Sequence, residues 1–197
     1  MFDKYIQVIP VLSESLVTDI LAYASAQPQW TQATVFSHDG SVSLNSDRTC
    51  QQVWLNSNFD RFTELVDAMN KGVEQYTENV LRQIPVEQLR MPMPCSYLSK
   101  SHLENIGVVR YSAGQEYKWH ADVGFASTDD YSNRTISVVL YLTDDFEGGG
   151  TEFIDGTRKP KAGEAIYFPS SWTFYHRAQP VTKGTKYVII TWYHVYQ

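Results

Sequence analysis

Apolar residues recur at three- and four-residue steps in two stretches of the chain. Between Ser13 and Ala26, the residues Leu16, Ile20, Leu21 and Ala24 fall on one side of a segment of good helix formers, and Ser13 stands where an N-cap belongs. From about Phe59 to Leu81 the same spacing runs through Phe62, Leu65, Val66, Met69, Val73, Tyr76 and Val80, which predicts a longer helix with one buried stripe. Between the helices, Ala33–Phe36 and Gln52–Leu55 read as a pair of strands around a long polar loop that turns at His38-Asp39-Gly40. After the proline-punctuated connector Pro85–Pro94 the period shortens, and runs rich in Val, Ile, Tyr and Thr alternate with Gly and Asp clusters. Strands are predicted at Ile106–Tyr111, Tyr117–Ala121, Thr135–Leu142, Thr151–Ile154, Ala165–Phe168, Thr173–Ala178 and Lys186–Tyr193. Turns are predicted at 112–114, 144–150, 161–163 and 182–184. Helices followed by evenly spaced strands describe an α+β chain, a sandwich or jelly roll with the helices supporting one outer face.

Composition narrows this picture. The chain has 197 residues, 43% of them hydrophobic and 19% charged, which suits one globular domain and leaves two cramped. The division expected is a single domain over 1–197, with helical support in 1–94 and a β core over about 105–195. A formal charge of −6 argues against a surface that tracks nucleic-acid phosphates. Two cysteines, Cys50 and Cys95, form neither a CxxC pair nor a dense pattern, so no disulfide framework or thiolate zinc site is expected and a reducing cytoplasm fits best. The N-terminal residues lack a basic segment followed by a long apolar run, and no apolar stretch approaches the roughly 18 residues of a membrane span. A soluble, unexported protein without membrane contact is the expectation.

Two of the five histidines stand in a chemical pattern. On a strand, residues two apart share a face, so His120 and Asp122 can aim an imidazole and a carboxylate at one point. His176, on a later strand, can supply a third group. Two nitrogens and one carboxylate on one face of a metal leave open positions, the arrangement of non-heme Fe(II) oxygenases, though the same set also suits a cupin-like zinc enzyme. An H-x-D pair is a weak motif by itself, and a strand histidine held by hydrogen bonds would look the same. Lys186 adds context. Its parity mates Val188, Ile190 and Trp192 are apolar, which turns the lysine toward a buried face where a cation needs an anion. His38, His102 and His194 have no comparable partner.

The run from Arg110 to Asp122, Arg-Tyr-Ser-Ala-Gly-Gln-Glu-Tyr-Lys-Trp-His-Ala-Asp, resembles the metal-binding strand pair of the prolyl 4-hydroxylase-like branch of the Fe(II)/2-oxoglutarate dioxygenases. Further matches follow in order: Arg134–Ser137 through Tyr141-Leu142, Gly149–Phe153, the Pro160–Gly163 turn with Phe168, then His176 and Lys186. The resemblance covers about 105–195 and implies a double-stranded β-helix (jelly-roll, cupin-like) core with N-terminal supporting helices. It also implies that His120, Asp122 and His176 bind iron, that Lys186 anchors the distal carboxylate of 2-oxoglutarate, and that Tyr111 and Tyr141 line the cosubstrate pocket. Tyr117 and Tyr167 are read as core. Arg134 is given only a structural ion pair. The 148–150 glycines are read as a turn or bulge. A fainter similarity links Ser46–Cys50 and Trp54-Leu55 to the loop that closes over the peptide in prolyl 4-hydroxylases, with Arg48 as the substrate contact and Cys50 where serine is usual.

The activity implied is hydroxylation of a C–H bond, foremost a prolyl residue of a peptide or protein, using Fe(II), 2-oxoglutarate and O2 and releasing succinate and CO2, with ascorbate as a possible reductant. The alternatives are the same chemistry on a nucleic acid or small molecule, the zinc enzyme, and a non-catalytic binding module. The oligomeric state is left open.

Overall fold

Ser13 Oγ accepts the Leu16 amide at 3.3 Å and starts helix α1 (Glu14–Ser25) where the pattern places it. Helix α2 (Phe62–Leu81) begins three residues later than its apolar pattern, because Phe59 and Phe62 take part in successive turns closed on Asn56 O and Phe59 O. Its stripe of Leu65, Met69, Val73, Tyr76 and Val80 is buried, at about 1.5–3 kcal/mol for a large aliphatic side chain fully removed from water. The computed structural model describes residues 4–36, 42–83, 100–123 and 134–196; the His38-Asp39-Gly40 turn, Cys95 and the Pro85–Pro94 connector lie outside them.

In chain order the strands are β1 (Gln7–Pro10), β2 (Thr31–Gln32), β3 (Val35–Phe36), β4 (Val42–Ser43), β5 (Gln51–Leu55), β6 (Lys100–Leu103), β7 (Ile106–Tyr111), β8 (Tyr117–His120), β9 (Arg134–Tyr141), β10 (Glu147–Gly148), β11 (Thr151–Phe153), β12 (Gly156–Arg158), β13 (Glu164–Pro169), β14 (His176–Ala178), β15 (Val181–Lys183) and β16 (Lys186–Tyr196). The larger sheet runs β1-β13-β9-β16-β7-β5-β2, with β6 also beside β16, and the smaller runs β12-β11-β14-β8. Side chains of the two sheets meet in a jelly-roll interior that includes Val109, Tyr111, Tyr141, Phe153, Phe168 and Val188. Alternate residues of the larger sheet, among them Val108, Val138, Leu140 and Ile189, pack on the other side against the two helices. A close approach there is at Gly72 of α2, where an added Cβ would stand 2.1 Å from the Tyr167 hydroxyl. Tyr167 is a core residue, stacked on Tyr76 at 5.8 Å between centroids.

Three expectations change. Ala33–Phe36 and Gln52–Leu55 do not pair with each other as strands: β3 pairs with β4, while β5 pairs with β2 and β7. The first half of the chain is therefore more than a helical support, since it extends the larger sheet at both ends. The segment 173–178 is divided, because a 3-10 turn at Trp172–Phe174 precedes β14. Thr182 and Lys183 belong to β15, and the reversal falls on Gly184, whose φ of 80° suits glycine.

Candidate metal centre and anion pocket

His120 and His176 are directly opposite one another in the ladder between β8 and β14. Opposed residues of an antiparallel pair share a face, so both imidazoles enter the interior. Asp122 arrives differently from the strand-parity expectation: β8 ends at His120, and the carboxylate comes from the bend that follows. The bend is fixed from three sides. Val123 N donates to Ser170 O at 3.1 Å, Arg134 Nη1 donates to Asp122 O at 3.3 Å, and Ser137 Oγ donates to Asp122 Oδ2 at 2.6 Å. Having given its proton to Asp122, Ser137 Oγ accepts from Ser170 Oγ at 2.8 Å.

The result is a cluster. Asp122 Oδ1 is 3.7 Å from His120 Nε2, and Asp122 Oδ2 is 3.6 Å from His176 Nε2. One ligand atom from each of the three residues can be chosen so that all lie within 4.8 Å of one another. The backbone sets the tautomers. His120 Nδ1 is 2.7 Å from Lys118 O and His176 Nδ1 is 3.0 Å from Phe174 O. A carbonyl can only accept, so each Nδ1 carries a hydrogen and each ring turns its Nε2 toward the cluster. Burial, helped by the adjacent His176, drives the His120 imidazole down to about 3 and keeps it neutral. Burial pushes the Asp122 carboxyl up, but the facing imidazoles of His176 and His120, the Arg134 guanidinium and the Ser137 hydroxyl outweigh it and hold the group at about 2. Two imidazole nitrogens and one ionised carboxylate, each braced by a second hydrogen bond, fit a divalent cation.

A second polar group lies deeper in the same interior. Lys186 is 1% exposed, its Nζ donates to Gly149 O at 2.7 Å, and the ring centroids of Tyr141 and Tyr111 stand 4.8 and 5.2 Å from it. The carbonyl is available because the chain bulges at 147–148, where Gly148 and Gly149 take positive φ. Among the described residues Lys186 forms no ion pair, and burial lowers its ammonium to about 7. Tyr141 is itself buried and hydrogen-bonded to Thr151 Oγ1 at 2.9 Å. Tyr111 pairs with Lys186 across β7 and β16, and burial raises its phenol well above the ordinary value.

Arg48 lies inside, 8% exposed, with Nη1 donating to Thr34 O at 2.9 Å and its guanidinium 4.9 Å from the Tyr117 centroid. Tyr117 is more than a core tyrosine: it stacks on His120 at 3.6 Å between centroids, linking Arg48 to the His-Asp-His cluster. The segment around Arg48 is held on β8 by Thr49 N donating to Glu116 O and Lys118 N donating to Asp47 O.

The sequence reading missed Ser137, Ser170 and Glu104. The signal for Ser137 was present, as an inward serine in the apolar strand Ile136-Ser137-Val138-Val139 must find a partner. Arg134 does form the expected ion pair, with Nε 2.6 Å and Nη2 2.8 Å from the two Glu104 oxygens, and also reaches the bend that carries Asp122. His194 is buried and bonds Glu104 as well, whereas His38 lies outside the described residues.

Comparison with known proteins bears on this arrangement directly. Residues 106–194, which hold the cluster and Lys186, match the 2OG-Fe(II) oxygenase superfamily. The match covers a little under half of the chain. A PKHD-type hydroxylase of Rippkaea orientalis is 37% identical over 89 residues, 42% of this chain and 39% of that protein. A probable prolyl 4-hydroxylase of Arabidopsis thaliana is 34% identical over 122 residues, 48% of this chain and 42% of that one. The chain thus spans about two fifths of the length of these relatives. Among solved structures, viral collagen prolyl hydroxylase from Paramecium Bursaria Chlorella virus-1 superposes with a TM-score of 0.67 at 20% identity, covering 98% of this chain and 97% of that one. A Trichoplax adhaerens prolyl hydroxylase bound to a hypoxia inducible factor peptide gives 0.64 at 18% identity over 97% and 84%. At these identities the structures establish a common fold. Among the described residues no helix is long and apolar enough to cross a membrane.

Proposed function

We propose that this protein is an Fe(II)- and 2-oxoglutarate-dependent dioxygenase that hydroxylates a prolyl residue of a peptide or protein, working as one domain in a reducing cytoplasm. The observation that carries the reading is the presence, in one interior, of a braced His-Asp-His cluster and a buried lysine that, among the described residues, forms no ion pair. His120, Asp122 and His176 would hold the iron, and when bound the metal and cosubstrate supply the oxidation of an unactivated C–H bond, with succinate and CO2 as co-products.

The chain's own residues bind and orient. Lys118 O and Phe174 O hold the imidazoles with Nε2 toward the metal, and Ser137 holds the carboxylate. Lys186, flanked by Tyr111 and Tyr141, receives the distal carboxylate of 2-oxoglutarate through a charge-assisted hydrogen bond. The apolar wall of Phe153 and Phe168 against His176 excludes water. Arg48 is assigned to the substrate, as the polar contact of the segment between β4 and β5, and ascorbate serves as the external reductant. The named prolyl hydroxylases among the relatives and solved structures support a peptide over a nucleic acid.

The test is a panel of proline-containing peptides incubated with Fe(II), 2-oxoglutarate and O2. Succinate release coupled to a gain of about 16 Da is expected, and both disappear in Asp122→Ala. Peptide oxidation undiminished in Asp122→Ala would overturn the assignment.

A further inference from the structure

Side chains three residues apart in a regular strand point to opposite faces, yet Tyr117 and His120 of β8 both face the interior. The ladder to β14 explains this. His120 is opposite His176 and Tyr117 is opposite Ala178, so Lys118 and Trp119 together face Arg177 alone, two residues against one. That is a β-bulge, and it sits between the two strands that carry the histidines. Lys118, inside the bulge, turns its carbonyl to His120 Nδ1 at 2.7 Å, and the ring of Tyr117 is laid on the imidazole with centroids 3.6 Å apart and an interplanar angle of 18°. The bulge is pinned from two directions. Along the edge of β8 away from β14, Arg48 bridges to Tyr117, Thr49 N donates to Glu116 O at 3.1 Å and Lys118 N donates to Asp47 O at 2.8 Å. The Arg48 guanidinium stands 4.9 Å from the Tyr117 centroid. Outside the sheet, Arg177 is held by Glu152 at 2.5 Å and stands 5.2 Å from the centroid of the half-exposed Trp119. A hydrogen bond at Nδ1 fixes which nitrogen faces the cluster, but the ring can still swing about its soft Cβ–Cγ torsion. Among the rings described against His120, Tyr117 lies flat on it and His176 is tilted at 57°.

We propose that Tyr117 is a positioning residue for the metal centre: its ring sets the plane of the His120 imidazole, and the bulge at Lys118-Trp119 and the bridge from Arg48 hold that ring in place. The inference rests on the reading of His120, Asp122 and His176 as metal ligands, and adds to it a residue that touches no metal. An aromatic pair of this kind favours one arrangement by a factor of about 2 to 12. Without it the orientation that can bind metal is one among several, and apparent affinity falls with the population of that orientation. Two consequences separate this role from ordinary packing. The flat face acts and the phenol does not, so phenylalanine should serve as well as tyrosine. The effect also falls on His120 and spares His176, which is held instead by Phe174 O and the rings of Phe153 and Phe168.

The experiment titrates the full chain with Co(II) and records the hyperfine-shifted imidazole N–H signals by proton NMR. Each Nδ1 hydrogen is held by a carbonyl, so both signals should be visible, and the His176 signal is the one in Overhauser contact with Phe168. Tyr117→Phe should keep Co(II) affinity within about 2-fold and leave both signals in place. Tyr117→Leu and Tyr117→Met, which fill the space without a flat face, should lose about 3- to 10-fold in affinity, with the His120 signal shifted and the His176 signal unmoved. Urea unfolding of the metal-free variants checks that they are folded under the conditions of the titration. Wild-type affinity and signals in both Tyr117→Leu and Tyr117→Met, a loss in Tyr117→Phe as large as theirs, or an equal shift of both histidine signals would each overturn the proposal. Should neither aliphatic variant fold, Arg48→Met decides: a shift of the His120 signal alone supports the proposal, and an unmoved His120 signal overturns it. Failure of the wild-type chain to bind Co(II) would instead remove the metal-ligand reading beneath it.

Discussion

Replacing Lys186 by methionine separates the cost of burying this cation from its use. The side chain is 1% exposed, and burial lowers its pKa from 10.5 to about 7. The unfolded chain then holds more protons than the folded one between those two values. Stability accordingly rises with pH through that window, is complete above about 10.5, and is lost as the pH falls toward 7. At 1.36 kcal/mol per pH unit the whole interval is worth about 5 kcal/mol against the charged form. Methionine has a similar volume and no charge, so Lys186→Met should melt above the wild type below pH 7, with the difference closing toward pH 10. An anionic ligand reverses the preference, because only the ammonium form offers a charge-assisted hydrogen bond, worth about 1.5–3 kcal/mol, or about 10- to 150-fold in Kd. Apparent affinity also scales with the charged fraction, which falls from about nine tenths at pH 6 to about 3% at pH 8.5. Calorimetry of 2-oxoglutarate on the Ni(II) protein should show wild-type affinity weakening about 30-fold over that range. Lys186→Met should bind more weakly at pH 6 and lose that dependence. Protonation of the metal ligands acts in the opposite direction, weakening binding at low pH. Wild-type affinity that stays flat or improves toward pH 8.5, or a Lys186→Met protein with the wild-type slope, refutes the reasoning.

Ser137→Ala removes the hydroxyl that holds Asp122 Oδ2 at 2.6 Å, and a Co(II) titration should show metal affinity falling about 10- to 100-fold, as for other outer-shell partners; unchanged affinity would mean the carboxylate is held without it. Gly72→Ala drives a methyl group into the Tyr167 hydroxyl and should cost about 1–3 kcal/mol in urea unfolding, with the metal affinity intact. Ser13→Ala exposes the first turn of α1 and should cost about 1 kcal/mol, read from the same unfolding curves.

What the sequence made legible was whatever local periodicity or one strand pairing determines. Ser13, the apolar stripe of α2 and the inward face of β16 each follow from spacing within a single element, and the structure keeps all three. What spacing cannot contain is long-range pairing. β5 finds β7 across 51 positions between Leu55 and Ile106, and nothing local distinguishes that partner from the nearer Ala33–Phe36. The metal cluster shows both sides of this. His120 was legible as one arm of a strand, but Asp122 lies past its end, so parity named the right residue for an incomplete reason. Its position comes instead from Ser137, Ser170 and Arg134, which reach it from β9 and from the end of β13. Those residues are ordinary in isolation, a serine in an apolar strand and an arginine at its start, and become a brace only when β9 passes behind the bend. Arg134 then joins two requirements, because Glu104 neutralises the guanidinium while Nη1 holds the Asp122 carbonyl. The ligands are thus fixed by the larger sheet as much as by the smaller one that carries the histidines, and a mutation at the brace should act on metal affinity before it acts on folding.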